Sequence, residues 1–370
     1  MLNPRELRHD LHQNPELSLE EFRTTEVIRK NIQNMFATYG KNYSILAPLE
    51  TGLIIDYNPV DLGEYILLRA DIDALPIKEK TAAKFKSKND NMHACGHDVH
   101  TAILYGTLEY ILKHDIQQNI LFLFQPAEEE SGGAKRIINS GILDRYKITR
   151  AHALHVNDEY DAGDVAFRPN VLFASSLEID IEFTGKSTHV ANTEQGKNAL
   201  LALAQVLQSC DELSKNTSEK IILGFGVAHS GTARNIIPGK ATLKGTLRTP
   251  SMNMAKDYFQ SIENILQQVK ESSGVDYHIQ KGAQYKEVTN APALYEKAKY
   301  ALAHKFSFIN CEMKMTAEDF GYFSDLYPSL MLWLGTRKHG EPTGLHSPYF
   351  LPDDDIIELG IEVYKVLLRL

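Results

Sequence analysis

The sequence predicts an α/β protein in which one domain interrupts another. Between residues 51 and 156, short apolar runs alternate with helical patterns, as in a largely parallel sheet covered by helices on both faces. From Ala174 the apolar residues alternate with polar ones, which indicates strands with one buried and one solvent-exposed face. Helical patterns return at Pro292. Residues 1–172 and 292–370 are therefore predicted to form one domain, and residues 173–291 an inserted second domain.

The first domain is predicted to open with two helices. Leu7 and Leu11 precede the break at Asn14-Pro15 and mark a short first helix. Apolar residues at helical spacing predict a second helix from about Leu19 to Met35. The strands predicted next are Thr51 to Tyr57, Tyr65 to Leu68, Asn119 to Phe124 and Ala151 to Val156. Helices are predicted from His97 to His114, from Gly133 to Tyr146, from Pro292 and from about Asp354.

The inserted domain has its own order of elements. Its predicted strands are Ser176 to Phe183, Lys220 to Val227, Lys240 to Leu247 and Val275 to Gln280. Its predicted helices run from Asn198 to about Lys215 and from Pro250 to about Ser273. The resulting order, β-α-β-β-α-β, is that of a ferredoxin-like domain.

Composition excludes several classes of protein. A chain of 370 residues with 43% hydrophobic and 24% charged residues is ordinary for a globular protein with a sizeable core. The net charge of -9 argues against nucleic acid as a partner, because phosphate binding needs a basic face. No apolar run has the length of a membrane span, and the first residues lack the apolar core of a signal peptide. Three widely spread cysteines imply no disulfide framework, so we expect a cytoplasmic protein.

Residues 91–101 concentrate groups that can bind a metal. The segment Asn-Met-His-Ala-Cys-Gly-His-Asp-Val-His-Thr holds His93, Cys95, His97, Asp98 and His100. Imidazoles, a thiol and a carboxylate are ligands of a borderline-soft divalent cation, and Gly96 allows the side chains of Cys95 and His97 to converge. The alternative is a histidine-rich loop in which Cys95 is merely a small buried hydrophobe.

Three predicted strands end in groups that bind metals or carry protons. Tyr65-Ile-Leu-Leu runs into Arg69-Ala-Asp71-Ile-Asp73, Asn119 to Phe124 runs into Gln125-Pro-Ala-Glu128-Glu129, and Ala151-His-Ala-Leu runs into His155. The carboxyl ends of parallel strands share one edge of a sheet, where ligands bind in open α/β sheets. The alternative is that strand ends are exposed and attract charge. Together with the loop at 91–101, however, the convergence favours one shared site.

Glu128 and Glu129 cannot both enter one site as free anions, because adjacent carboxylates repel. A metal resolves this if one glutamate binds it while the other accepts a proton from water. Glu130 fits better as a solvated residue near a helix start. His346, in the turn Gly344-Leu-His346-Ser-Pro348, is by itself more typical of a surface histidine.

These residues together resemble the M20 metallopeptidase family, in its amidohydrolase branch of aminoacylase-like, hippurate and indole-acetyl-amino-acid hydrolases. The resemblance covers nearly the whole chain. It is carried by Leu11-His-Gln-Asn-Pro-Glu-Leu-Ser18, Arg69-Ala-Asp-Ile-Asp-Ala-Leu-Pro76, Met92-His-Ala-Cys-Gly-His-Asp98, Phe124-Gln-Pro-Ala-Glu-Glu129, Gly185-Lys-Ser-Thr-His189, Asn235-Ile-Ile-Pro238, Gly245-Thr-Leu-Arg248, Ala317-Glu-Asp-Phe320 and Gly344-Leu-His346. Within the branch, the overall amino-acid sequence most resembles that of the bacterial deacetylases of N-acetyldiaminopimelate, which act in the acetylated route to lysine.

The resemblance implies a fold, a cofactor and a set of site residues. The fold is a Zn-peptidase-like α/β domain with an inserted ferredoxin-like lid, which commonly forms a homodimer. Two divalent ions per subunit, of Zn, Co, Mn or Ni, would be held by Cys95, His97, Glu129, His155 and His346. Glu128 would be the general base, and Asp73 would orient a ligand.

The lid is implied to supply the remaining groups. His189 would donate to the carbonyl oxygen of a small N-acyl amino acid, in its own subunit or across a dimer. Asn235 and Arg248 would hold the substrate carboxylate, since Arg pairs with such groups bidentately.

The sequence departs from the family pattern in one place. Many relatives carry two glycines before the lid histidine, where this chain has Ser187 and Thr188, so the preference for the acyl group stays open. Asp71 stands where other M20 branches place a ligand histidine, and we do not assign it as a ligand.

Two alternatives remain at this point. A thiol hydrolase would use Cys95 as nucleophile, leaving the glutamate pair without a role. A non-catalytic metal-binding protein would have no use for Glu128 beside Glu129.

Overall fold

The computed structural model describes residues 1–60, 63–130, 132–338 and 340–370. The helices, in chain order, are α1 (Pro4–Gln13), α2 (Phe22–Tyr39), α3 (His97–Lys113), α4 (Gly133–Asn139), α5 (Ala199–Lys215), α6 (Met252–Ser273), α7 (Pro292–Leu302), α8 (Gly321–Leu326) and α9 (Asp355–Leu367). The strands are β1 (Ser44–Leu46), β2 (Leu53–Tyr57), β3 (Glu64–Asp71), β4 (Ile120–Gln125), β5 (Lys147–Asp161), β6 (Asp164–Phe167), β7 (Asn170–Phe173), β8 (Ser175–Thr184), β9 (Thr188–His189), β10 (Ile222–Ser230), β11 (Ile236–Ile237), β12 (Lys240–Thr249), β13 (Asp276–Tyr285), β14 (Val288–Asn290), β15 (Ser307–Asn310) and β16 (Ser329–Arg337). None of these helices is both long and apolar enough to cross a membrane.

The described chain divides into two compact units. The larger unit comprises Met1–Leu172, Val288–Glu312 and Tyr322–Leu370, and the smaller comprises Phe173–Glu287 and Met313–Gly321. These bounds differ from the predicted insertion at 173–291 in two places. Residues 288–291 belong to the larger unit because β14 pairs with β7. Residues 313–321 belong to the smaller unit, where the Ala174 amide donates to the Lys314 carbonyl at 2.9 Å.

The larger unit is built on a sheet that has, among the described residues, the order β1-β2-β4-β3-β5-β16-β6-β15. Its centre is parallel: β3 pairs in parallel with β4 and β5, and β16 pairs in parallel with β5. One core cluster contains apolar side chains from these strands and from α1, α2, α3, α7 and α9. The carboxyl ends of β3, β4 and β5 therefore lie at one edge of the sheet, as the sequence predicts.

The smaller unit contains an antiparallel sheet in the order β10-β12-β8-β13. Helices α5 and α6 share a hydrophobic cluster with this sheet. On β8 the residues Leu177, Ile179, Ile181 and Phe183 are buried, whereas Glu178 and Glu182 between them are exposed. The predicted α/β class with a second, ferredoxin-like unit is confirmed.

Several predicted bounds differ from the observed ones for a local reason. Helix α2 begins at Phe22 rather than Leu19, because Leu19 adopts a left-handed backbone with φ of 65°. Helix α4 ends at Asn139 rather than Tyr146, and Gly141 follows with φ of 71°. Strand β16 is not predicted from the sequence, although it lies beside β5 near the middle of the sheet.

Candidate metal centre and catalytic groups

The loop before α3 sets the backbone of two candidate ligands. Gly96 has φ of 84° and lies between Cys95 and His97, where α3 begins. A Cβ atom at Gly96 would lie less than 3.0 Å from Cγ2 of Val156 and 3.3 Å from Cε1 of Phe350. Glycine is required here both for the left-handed backbone and for the close approach of β5. This turn lets the side chains of Cys95 and His97, which flank Gly96, lie close together.

The five predicted ligands lie in overlapping groups in the larger unit. Ligand atoms of Cys95, His97 and His155 all lie within 4.8 Å of one another, and so do those of Cys95, Glu129 and His346. Cys95 Sγ lies 3.4 Å from Nε2 of His155. Glu129 Oε1 lies 3.3 Å from Nε2 of His346 and 3.8 Å from Nε2 of His97. Cys95 belongs to both groups, so two neighbouring cation positions could share its sulfur.

The orientation of two histidine rings fits metal binding. His97 Nδ1 donates to the Asp73 carbonyl at 3.0 Å, and His155 Nδ1 donates to the Val156 carbonyl at 2.8 Å. In the neutral form of each ring, which is the form that binds a metal, Nε2 is then the unprotonated nitrogen and is directed towards the cluster. Within the described residues, Nε2 of His97 and Oε1 of Glu129 are buried without a hydrogen-bond partner. Buried polar atoms without partners are costly, and a divalent cation would satisfy both.

The electric field at the cluster also favours a cation. Burial alone would lower the pKa of His97, but the nearby carboxylates, chiefly Asp71, Asp73 and Glu129, outweigh burial and raise it to about 10. Burial, together with the charges of Glu129 and Glu128, raises the pKa of the Cys95 thiol well above its ordinary value. Without a cation this thiol stays protonated, whereas a nucleophilic cysteine needs a lowered pKa. The sulfur, nitrogen and oxygen donors together fit a borderline-soft divalent ion.

Asp73 holds two of the predicted ligands in place. Its Oδ1 lies 3.3 Å from Nδ1 of His97, and its Oδ2 accepts from the Glu129 amide at 3.0 Å and from the Ser18 hydroxyl at 2.7 Å. Burial would raise the pKa of Asp73, but these partners outweigh burial and lower it. Asp73 is therefore placed to orient ligands rather than to bind a cation itself.

Both carboxylate oxygens of Asp71 accept hydrogen bonds from other side chains. Arg69 donates to its Oδ2 at 2.7 Å, and His100 Nδ1 donates to its Oδ1 at 2.6 Å. The Val156 amide donates to Nε2 of His100 at 2.9 Å. Although Asp71, His97 and His100 lie close together, the guanidinium and the amide occupy the positions that a cation would need.

The loop at 91–101 contributes fewer ligands than its composition suggests. Cys95 and His97 join the groups with Glu129, His155 and His346, whereas Asp98 pairs with Arg8 and His12. His93 is fully buried, and burial lowers its pKa to about 4. His93, in the loop before α3, and Asp98, in the first turn of α3, both face α1 instead of the cluster: the ring centroid of His93 lies 6.4 Å from that of His12.

The turn before Glu128 is strained and is held by a residue that sequence reasoning missed. Ala127 has φ of 59°, which is unusual for a residue with a side chain. Its amide donates to Oε1 of the buried Glu21 at 2.8 Å, and its carbonyl accepts from the Gly133 amide at 2.8 Å. Burial, followed by the charge of Asp73, raises the pKa of Glu21 to about 7. In the sequence Glu21 looks like one more charged residue beside Glu20.

Glu128 itself lies within the cluster. Ligand atoms of His97, Glu128 and Glu129 lie within 4.8 Å of one another, and Glu128 is 8% exposed. Its neighbour Glu130 is exposed. The two adjacent glutamates therefore share the site, as the sequence suggests they would around a cation.

The remaining predicted residues lie in the smaller unit. His189 Nδ1 accepts from the Ala191 amide at 3.2 Å, and its Nε2 lies 3.4 Å from Nδ2 of Asn235. Strands β9 and β11 hold this pair together, with the Val190 amide donating to the Asn235 carbonyl at 3.0 Å. Arg248 is partly buried on β12, and burial lowers its pKa.

Ser187 and Thr188 both form hydrogen bonds that stabilise the loop before His189. The Ser187 hydroxyl accepts from the Gly239 amide at 3.0 Å. The Thr188 hydroxyl donates to the Asn192 carbonyl at 3.3 Å.

The chain is similar to known proteins over nearly its whole length. The chain is 34% identical to an N-acetyldiaminopimelate deacetylase of Exiguobacterium sibiricum, over 97% of this chain and 96% of that protein. It is 35% identical to the enzyme of the same name from Shouchella clausii, over 96% of this chain and 95% of that one. A crystal structure of a dinuclear metal-binding peptidase of the M20 family from Bacillus subtilis has a TM-score of 0.84 and 26% identity, covering 98% of this chain and 96% of that chain.

The model of peptidase family M20/M25/M40 matches residues 67–370. This match includes every predicted site residue, from Asp73 to His346, and the relative from Exiguobacterium sibiricum matches 97% of the chain. The resemblance found in the sequence is thereby confirmed, and the chain belongs to peptidase family M20/M25/M40.

Proposed function

We propose that this protein is a metal-dependent amidohydrolase that removes the acetyl group from N-acetyldiaminopimelate, giving acetate and diaminopimelate. The observation that carries the chemistry is the position of Glu128, a carboxylate within 4.8 Å of candidate ligands yet adjacent in sequence to one of them. The substrate is supported by the names of the relatives that match over nearly their full length.

Two divalent ions per subunit are part of this proposal. Cys95, His97 and His155 would hold one ion, and Cys95, Glu129 and His346 the other, with the thiolate shared. Bound there, such ions supply Lewis-acid chemistry, polarising a carbonyl oxygen and lowering the pKa of a water molecule. Zn, Co, Mn and Ni all suit this donor set, so the identity of the ions is a matter for measurement.

The chain's own groups would then carry the proton and bind the substrate. Glu128 takes a proton from the attacking water and returns it to the departing amine. His189 donates to the carbonyl oxygen and stabilises the negative charge that develops there. Asn235 and Arg248 bind the substrate carboxylate, for which the planar guanidinium offers two parallel hydrogen bonds.

The decisive variant is Glu128→Gln, which keeps the shape of the side chain but cannot accept the proton. We expect it to bind metal as the wild type does and to lose at least a hundredfold in turnover of N-acetyldiaminopimelate, the scale of general-base catalysis. Glu130→Gln is the matched control, because it removes a neighbouring charge from an exposed side chain. Turnover retained by Glu128→Gln would remove Glu128 from the role of base.

Substrate choice is tested separately with a panel of N-acetyl and N-benzoyl amino acids that includes N-acetyldiaminopimelate. The proposal expects the highest kcat/KM for N-acetyldiaminopimelate. A clear preference for a benzoyl compound or another acetylated amino acid would keep the amidohydrolase and replace the substrate.

We also propose that the smaller unit forms a homodimer in the cytoplasm. Its strand β10 lies at the edge of the four-stranded sheet, and large apolar side chains are exposed on this strand and on α5. These are Leu200, Leu201, Leu207, Ile222 and Val227. Light scattering should give the mass of a dimer, and Leu201→Lys combined with Leu207→Lys should give that of a monomer; a wild-type monomer would contradict the proposal.

A further inference from the structure

His346 lies on a segment that has little support from regular structure. Between the end of β16 and the start of α9, the described residues form no helix or strand. His346 has φ of 63°, in the left-handed region that non-glycine residues rarely adopt, and its side chain is 51% exposed. Such a conformation persists only when surrounding contacts determine it. The contacts that hold this turn therefore decide where its imidazole lies.

One of these contacts comes from the loop that carries Cys95. The His346 amide donates to the Ala94 carbonyl at 2.9 Å, next to Cys95 in sequence. Within the turn, the Ser347 amide donates to the Gly344 carbonyl at 3.3 Å. These bonds attach one side of the turn to the cluster.

The other side is held by a single carboxylate, that of Asp158. Its Oδ2 accepts from the Thr343 amide at 2.6 Å and from the Thr343 hydroxyl at 2.8 Å. The Gly344 amide lies 3.2 Å from Oδ1 and 3.1 Å from Oδ2. Asp158 is 8% exposed, so three donors from two consecutive residues converge on one largely buried anion.

Asp158 and His155 both belong to β5, three residues apart. Strand β5 thus carries His155, a candidate ligand in the group with Cys95 and His97. The same strand carries the carboxylate that holds the turn of His346, a candidate ligand in the group with Cys95 and Glu129. Because Asp158 is used by the turn and lies outside the ligand groups, it does not itself bind a cation. Its effect on a cation would pass through the position of His346.

We propose that Asp158 is a positioning residue that presents His346 to the ion shared with Cys95 and Glu129. This assignment rests on the proposed function, since it concerns the ions of the proposed amidohydrolase. Loss of the carboxylate would weaken the ion held by Cys95, Glu129 and His346 and leave the ion held by Cys95, His97 and His155 in place.

The test variant is Asp158→Asn, which keeps the size of the side chain. Asparagine offers one acceptor oxygen, and its NH2 group would face an amide or hydroxyl donor of the turn. The control is Glu159→Gln, which removes a negative charge from the next residue on β5, whose side chain is exposed. If charge alone mattered, both variants would behave alike.

The first measurement uses metal-free protein and so does not depend on metal binding. Hydrogen exchange of the Thr343 and Gly344 amides should be faster in Asp158→Asn than in the wild type and Glu159→Gln. Unchanged exchange would overturn the assignment, because Asp158 would then not hold the turn.

The second measurement titrates metal-free protein with cobalt(II) and follows stoichiometry and the visible absorption spectrum. We expect two ions in the wild type and in Glu159→Gln. In Asp158→Asn the affinity for one ion should fall 10- to 100-fold, on the scale seen when a partner of a metal ligand is removed, while the other ion binds normally. If Asp158→Asn bound both ions with the same affinities as the wild type, the assignment would be overturned and the proposed function would be left intact.

Wild-type protein that binds no cobalt would instead overturn the proposed function, and this assignment with it. Thr343→Val provides a second variant in case Asp158→Asn folds poorly. It removes only the hydroxyl donor and should reduce affinity for the same ion by a smaller factor. An effect of Thr343→Val on the other ion would contradict the assignment.

Discussion

Replacing Gly96 by alanine should test how tightly the turn between Cys95 and His97 is packed. Gly96 has φ of 84°, and an added Cβ would lie less than 3.0 Å from Val156 and 3.3 Å from Phe350. Gly40 provides the matched control. It ends α2 with φ of 63°, and a Cβ added there would meet nothing within 4 Å.

The expected loss in the free energy of unfolding has two parts, the strain of a left-handed backbone and the steric clash of the added Cβ. A side chain in the left-handed region costs about 1–2 kcal/mol, and both variants carry this cost. Forcing an extra carbon into a packed site adds about 1–3 kcal/mol, which applies to Gly96→Ala alone. Since Val156 also donates its amide to His100, it cannot move away freely. We expect Gly96→Ala to lower the free energy of unfolding by about 2–5 kcal/mol and Gly40→Ala by about 1–2 kcal/mol.

Unfolding of metal-free protein in urea, followed by tryptophan fluorescence, measures this difference. The single tryptophan, Trp333, is 3% exposed on β16 of the larger unit, so its signal reports that unit. The metal content of the refolded variants should also fall in Gly96→Ala and stay normal in Gly40→Ala. Equal losses of stability in the two variants would refute the argument, because the contact with Val156 would then have no cost.

Further predictions concern pH and metal removal. Burial alone would lower the pKa of His12, but Asp98 and Glu79 outweigh it and raise the pKa to about 9. The stability that His12 contributes is thus complete below pH about 6.5 and lost as pH rises through about 9, by at most about 3 kcal/mol. Urea unfolding between pH 6 and 10 should show a larger loss of stability in metal-free wild type than in His12→Gln, which keeps only the loss from other groups such as His97. Burial, with Asp73, raises the pKa of Glu21 to about 7, so stability should fall as pH rises from about 4.5 to 7, again by at most about 3 kcal/mol. Unfolding at pH 5 and pH 7.5 should differ less in Glu21→Gln; an equal difference would exclude Glu21 as its source. Chelation should abolish turnover, and Zn, Co, Mn or Ni should restore it, whereas a cysteine-nucleophile hydrolase would survive chelation.

The regular elements that sequence predicted best are those with a strong local pattern. The alternation along Leu177 to Phe183 predicts β8 closely, and the capping residue Asn198 predicts the start of α5. The continuous apolar run in Ser329–Arg337 has no period that distinguishes a buried strand from a helix, and β16 was missed. Its place beside β5 depends on residues far away in the chain.

The candidate site likewise contains residues that the sequence indicated and residues that it did not. Residue types and strand ends indicated one shared site, because parallel strands share an edge, and the resemblance to the M20 family implied Cys95, His97, Glu129, His155 and His346 as its ligands. The residues that hold these side chains, Glu21 and Asp158 among them, carried no signal. A carboxylate that accepts from a distant turn looks in sequence like any charged surface residue.

The α/β class, the inserted unit, the family and the chemical types of the site residues could all be predicted from the amino-acid sequence. Each of these follows from local periodicity or from motifs of a few consecutive residues. The three-dimensional arrangement was needed to show which of the clustered groups face one point: Cys95 and His97 lie close to Glu129 and His155, whereas Asp98 pairs with Arg8. It was also needed to show that Asp71 is bound by Arg69 and His100, and that Asp158 holds the turn of His346. The physical reason is that hydrogen-bond partners and close contacts join residues far apart in the chain, which no local pattern records.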